Sequence, residues 1–242
     1  MKRHLSVFGM FARQNLGWLF AFCALSVLMQ SWFFAGICME QPQELHTALI
    51  HYESNHAFVF CFLFLTVRLC ITGCDRSGKS VYTYHRLQVS QKEVFLLQAA
   101  FNLLAYWFFF TVQMILMLVF AIIYSHIYPE YIGPMSLVQA IYRVPLFRLV
   151  LPLQDLFTWA GNVGTLASLS LCTAVFPLRN RYGKVSISAI MMILLTVFYL
   201  YIQIYENTYF DISASILSLA CSAFLVAGAV GGVWTTEGDN YE

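Results

Sequence analysis

The chain has 242 residues, of which 60% are hydrophobic and only 10% charged, against roughly 45–50% and 25% in soluble domains. Its net charge of +1 lacks the basic balance of a nucleic-acid binder, and a mean hydropathy of +0.70 means more apolar surface than a water-soluble core of this size needs. What remains is an all-α membrane protein, built as one domain over residues 1–242.

In chain order, the first apolar stretch is Leu16 to Ile37. No small-residue cleavage site follows it, so it reads as a retained helix and not a signal peptide. Ahead of it, Leu5, Phe8, Ala12 and Leu16 fall on one helical face, with Lys2, Arg3 and Arg13 adding cations. That pattern predicts an amphipathic N-terminal helix resting in the membrane interface before the chain turns inward. Between Cys38 and His56 lie His46, His51 and His56 with Glu40, Glu44 and Glu53. A five-residue histidine spacing separates successive side chains on a helix by about 140°, so this stretch reads as a solvated acidic loop and not a metal site.

The second span, Ala57 to Thr72, is shorter than the roughly 20 residues a bilayer crossing takes, so it draws on its flanks. Arg68 sits near its end, where the stem stays in lipid and the guanidinium snorkels to phosphate or water. The polar piece that follows, Gly73 to Glu93, carries two features. Gly73, Gly78, Lys79 and Ser80 match the letters of a P-loop, but a membrane span feeds them and no parallel-sheet pattern surrounds them, so nucleotide binding is not expected there. Val81 to Val89 reads as a short helix across the cytoplasmic mouth, presenting Tyr82, Tyr84, His85, Arg86 and Leu87 to a partner or to lipid. Ser90 and Glu93 then form an S-x-x-E capping box that starts the third helix near Gln91.

The third span, Val94 to Tyr124, exceeds a bilayer's thickness, so it tilts or projects; Gln98, Asn102 and Gln113 within it are uncharged groups suited to hydrogen bonds between helices. Ser125 to Asp155 is too apolar for a free loop and too broken by prolines for a span. It is expected to dip into the outer leaflet or cap a path. The fourth span, Leu156 to Phe176, repeats the small residues Ala160, Gly164 and Ser168 beside Gly161 and Asn162. Val185 to Tyr205 is the fifth span, with Gln203. Ile212 to Trp234 is the sixth, with Ala223, Ala227 and Gly231 beside Gly228 and Gly232. Both small-residue runs predict close helix contacts, and Gly161, Asn162, Gly164, Asn102 and Gln113 are the candidates for helix packing or a substrate path.

Charge fixes the orientation. Lys2, Arg3, Arg13, Arg68, Arg76, Lys79, Arg86, Lys92, Arg179, Arg181 and Lys184 share one side, and only Arg143 and Arg148 fall on the other. The side rich in Lys and Arg is the cytoplasmic one, so both termini are expected there. The seven cysteines show no CxxC pair and no zinc-like spacing, which suits small packing residues. No span contains Glu, Asp or His in its interior, so neither an intramembrane enzyme nor a self-contained secondary transporter is favoured.

The segment YTYHRLQVSQKEVFLLQAAFNLLAYW, Tyr82 to Trp107, resembles the stretch joining the second and third helices of ABC-2 type permeases. These are the membrane subunits of bacterial ABC exporters. The six-span plan, the interfacial N-terminal helix and the cytoplasmic loop before a long third helix are similar over nearly the whole chain. In size and plan it is most similar to lantibiotic and other antimicrobial-peptide immunity exporters. The resemblance implies a transport subunit without catalysis of its own in a bacterial cell membrane. It further implies two copies of a separate ATPase that hold ATP and Mg²⁺, and a second permease subunit, identical or related. By the same resemblance Tyr84, Arg86 and Leu87 would couple the permease to the ATPase. The outer bulk lies between the third and fourth spans here, where several relatives carry it between the fifth and sixth. The alternatives are a non-ABC membrane scaffold or sensor subunit and, further off, an intramembrane enzyme.

Overall fold

The structure, a computed structural model, describes residues 2–39, 52–72, 74, 90–131, 137–142, 144, 147, 149, 156–181, 186–205 and 211–238. Among them there is no strand. Six long helices make the bundle: α1 (Lys2–Met39), α2 (Tyr52–Ile71), α3 (Gln91–Ile127), α5 (Leu156–Arg181), α6 (Ile187–Tyr205) and α7 (Asp211–Gly238), with the short α4 (Leu137–Tyr142) and a 3-10 turn at Pro129–Tyr131 between α3 and α5. Five of the long helices are long and apolar enough to cross a membrane; the apolar part of α2, Asn55–Ile71, is shorter. The chain is thus a helical protein of the multi-pass membrane type.

Cross-helix contacts establish an alternating direction. Asn15 meets Thr72 at one end of the bundle, while Tyr128 at the end of α3 meets Cys38 at the other. All described lysines and arginines, including Arg13, Arg68, Lys92 and Arg179, therefore lie toward the end where α1 and α3 begin. Such one-sided charge is what a bilayer retains on a single face.

The start of α3 is built as the sequence predicts. The Glu93 amide donates to the Ser90 hydroxyl at 3.3 Å and the Ser90 amide donates to the Glu93 carboxylate at 3.2 Å, a complete capping box that satisfies two amides left without partners at a helix start. α3 then runs 37 residues, about 55 Å by the helical rise, which exceeds a hydrocarbon core of roughly 30 Å.

The N-terminal segment differs from expectation. It does not form a separate interfacial helix: α1 is continuous over 38 residues. Its inward face is Val7, Phe11, Asn15 and Leu19, all buried, whereas Leu5 and Leu16 of the expected apolar face are exposed. No proline interrupts the segment, and Phe8 packs edge-on against Phe101 of α3 at 5.7 Å, so the helix gains contacts by continuing along the bundle.

α1 packs against α2 and α3, and α5, α6 and α7 pack on one another; α3 against α5, and α2 against α5 and α6, join the two groups. α5 continues beyond its expected end through Pro177 to Arg181.

Candidate functional site

Tyr82, Tyr84, His85, Arg86 and Leu87 lie outside the described residues, as do the P-loop lookalike residues Gly73, Gly78, Lys79 and Ser80 and the histidines His46 and His51. What the structure places is their frame. Thr72 ends the α2 turn, and Ser90 opens α3, at the same end of the bundle. Those two ends are tied: the Thr72 hydroxyl donates to Asn15 Oδ1 at 2.6 Å, and Gln98 Nε2 donates to the Thr72 carbonyl at 3.1 Å. Asn15 Nδ2 in turn donates to the Phe11 carbonyl. One polar knot thus joins α1, α2 and α3 beside the connection that carries the candidate coupling residues.

Arg68 lies on α2 beside that knot. Its guanidinium carbon sits 5.2 Å from the centre of the Trp18 ring, and its Nε is buried without a hydrogen-bond partner among the described residues. The partly buried side chain stacks on an aromatic face toward the cationic end, which suits a snorkelling arginine whose stem is covered.

Along the buried seam of α3 the polar residues each meet a different partner. Asn102 Nδ2 donates to Thr173 Oγ1 of α5 at 3.0 Å. Gln113 pairs reciprocally with Gln30 of α1: Gln30 Nε2 donates to Gln113 Oε1 at 2.7 Å and Gln113 Nε2 donates to Gln30 Oε1 at 2.6 Å. Gln30 also donates to Ser26 at 2.8 Å. Two primary amides that bond each other carry no unmet donor toward lipid at the contact, which suits a bilayer interior. Tyr106, between these pairs, is fully buried.

Gly161 and Asn162 open a second network, on α5. A Cβ on Gly161 would lie 2.8 Å from Ser215 Cβ and 3.2 Å from its Cα, so α5 and α7 cross at backbone contact there. Asn162 Nδ2 donates to the Leu149 carbonyl, and Asn162 Oδ1 accepts from the Tyr199 hydroxyl of α6. Tyr199 also lies 3.1 Å from Ser215 Oγ, and Thr165 shares a 2.8 Å hydrogen bond with Ser218. Gly164 is looser: a Cβ there would sit 3.4 Å from a Leu219 methyl. The structure therefore puts Asn102, Gln113, Gly161 and Asn162 into contacts between helices and leaves Gly164 with room.

Sequence reasoning missed the other half of each pair. On α7 it pointed to Ala223, Ala227 and Gly231, but these are exposed, and the contact face is Ser215, Ser218 and Ser222, all buried. The spacing of those serines, three then four, was a readable helical stripe. Gln30 and Ser26, four apart on α1, were readable in the same way.

A cavity of about 80 Å³ lies where α3, α5 and α6 meet, lined by Trp107, Phe110, Trp159, Val163 and Leu200 among others, with Leu149 at its edge. Ile141, Val144 and Leu149 are buried, so the described part of the segment expected to dip or cap does lie against the bundle. A wider groove of about 540 Å³ runs between α1 and α2 past Met29, Phe33 and His56. Among the described residues no three His, Cys, Asp or Glu side chains gather as a metal site would require. Comparison of the chain with protein-family models, with curated proteins and with solved structures returns no match.

Proposed function

We propose that the chain is the membrane-spanning subunit of an ATP-driven exporter of the ABC-2 kind. With a second permease subunit, identical or related, it forms the passage for an amphipathic or hydrophobic substrate: a peptide, a lipid or a drug. In this reading it crosses a bacterial cell membrane six times, with α2 as the second span and both ends in the cytoplasm. Two copies of a separate ATPase bind ATP and Mg²⁺, and this chain has no catalytic role.

The observation that carries the reading is the place where α3 begins. The capping box at Ser90 and Glu93 starts a helix of 37 residues at the end of the bundle holding every described lysine and arginine. The connection bearing Tyr84, Arg86 and Leu87 therefore leaves and rejoins the bundle on its cationic face, and a helix of that length carries a push at the face deep into the membrane. In this reading the passage runs between the two permease subunits. The filled interior suits a non-transporting scaffold or sensor subunit equally, and one experiment separates the two.

The full chain, affinity-purified from its native membranes, is expected to bring an ATPase with it. In vesicles holding that complex, Tyr84→Ala with Leu87→Ala should uncouple hydrolysis from export, since truncating interface anchors costs about 2 kcal/mol or more each. Lys79→Ala should leave hydrolysis intact. Recovery of a stable chain without any ATPase overturns the proposal.

A further inference from the structure

The cavity between α3, α5 and α6 has walls of an unusual kind for a polar region of the bundle. Four polar side chains line it: Asn162, Thr165, Thr196 and Tyr199. Each is already engaged within the protein. Asn162 bonds Leu149 and Tyr199, Thr165 bonds Ser218, Thr196 donates to the Met192 carbonyl at 2.8 Å, and Tyr199 reaches Ser215 as well. A water molecule held in a cavity needs two to four polar partners, and each polar side chain here already bonds a neighbour within the protein. What they present instead is carbon: the rings of Trp107, Phe110 and Trp159 and the side chains of Val163, Leu166 and Leu200. A void among such groups forfeits dispersion contacts on every side.

The mouth sets what fills it. Trp107 and Trp159 line the cavity while remaining 51% and 50% exposed, so the space opens sideways between two indoles on the surface that faces lipid in a membrane-spanning bundle. Behind them Thr196 and Leu200 are buried, 1% and 3% exposed, beyond reach of any molecule lying flat on that surface. Alkyl chains are the abundant apolar species at such a mouth. Apolar, unbranched and narrow, a chain end matches the size and chemistry of the space without asking for a hydrogen bond.

We propose that this cavity is a binding site for the alkyl chain end of an amphipathic lipid, entering laterally between Trp107 and Trp159 and ending against Thr196 and Leu200. The site rests on the membrane placement of the helices and is independent of whether an ATPase drives this chain.

The test uses the full chain in lipid nanodiscs containing a phospholipid whose acyl chain ends in a photoreactive diazirine, with adducts located by peptide mass spectrometry. Adducts are expected on Thr196 and Leu200, as well as on lipid-exposed Leu28 and Phe224, and none on Leu169 or Leu65, which are equally buried and do not line the cavity. Filling the cavity by Val163→Phe should lower the Thr196 and Leu200 adducts several-fold while leaving Leu28 and Phe224 unchanged. Should that variant open the bundle, adducts on Leu169 would reveal it, and Leu166→Phe serves in its place. Absence of adducts on Thr196 and Leu200 in the unaltered chain, or their persistence in a folded filled variant, overturns the proposal.

Discussion

The two sides of the bundle are held by different chemistry. In α1, α2 and α3 the seam is aromatic: Phe58 lies 5.6 Å from Phe109 and 5.4 Å from Phe110, Phe62 lies 5.4 Å from Tyr106, and Phe34 stacks on Phe120 at 4.3 Å with their planes 4° apart. In α5, α6 and α7 the seam is small and hydroxylated: Gly161 against Ser215, Thr165 with Ser218, Asn162 with Tyr199. Lipid removes the hydrophobic drive for helices to associate, so contact quality decides. Rings fill a wide seam with dispersion and edge-to-face contacts, whereas glycine and serine let two backbones close up and share hydroxyl bonds. A single protein uses both solutions side by side, which makes the comparison testable by substitution.

The largest effect is expected in the aromatic half. Phe58→Ala removes a fully buried ring at the centre of the cluster and should cost about 3–5 kcal/mol, read as a shift in equilibrium unfolding in mixed micelles. Gly161→Ala comes next, at about 1–3 kcal/mol, because the new methyl meets the Ser215 backbone and helices must part. Gly164→Ala, three residues on and facing only a flexible Leu219 methyl, should be near neutral in the same assay. If the two glycines behave alike, the backbone crossing at Gly161 is not what holds α5 to α7.

The amide pair is a polar exception inside the aromatic half. Gln113→Leu removes the amide that Gln30 bonds reciprocally and should cost about 1–3 kcal/mol, while adding Gln30→Leu should recover much of the loss. A double-mutant cycle should give a coupling of about 1 kcal/mol between them. Smallest of all, Gly228→Ala on α7 meets nothing within 4 Å inside the chain and should stay within about 0.5 kcal/mol. A larger loss there would show that another chain covers this face.

The same contrast explains what the sequence reveals. The apolar runs and the Ser90 cap set the helices, because a bilayer's thickness and a capping box are local signals. On α5 the four-residue repeat ran through Ala160, Gly164 and Ser168, yet the tight contact falls on their neighbour Gly161; on α7 the repeat fell on Ala223, Ala227 and Gly231, which face outward, while serines face in. Spacing gives a face; it does not say which of two faces meets a neighbour. Nor did it pair Gln113 with Gln30, 83 residues away, since an amide's partner is set by tertiary packing. The continuous α1 was missed because its true inward face, Val7, Phe11, Asn15 and Leu19, includes a polar residue whose partner, Thr72, sits at the end of α2.

The exporter proposal stands on the cationic end of the bundle being cytoplasmic. That is tested most directly by single cysteines in a chain whose seven natural cysteines have been replaced. Intact cells would be treated with a membrane-impermeant thiol reagent. Ala48→Cys, in the connection from α1 to α2, and Thr208→Cys, in the connection from α6 to α7, should be labelled, and Tyr182→Cys, which follows α5 in the chain, should react only after the membrane is opened. Labelling of Tyr182→Cys in intact cells, with Ala48→Cys and Thr208→Cys protected, would contradict the account.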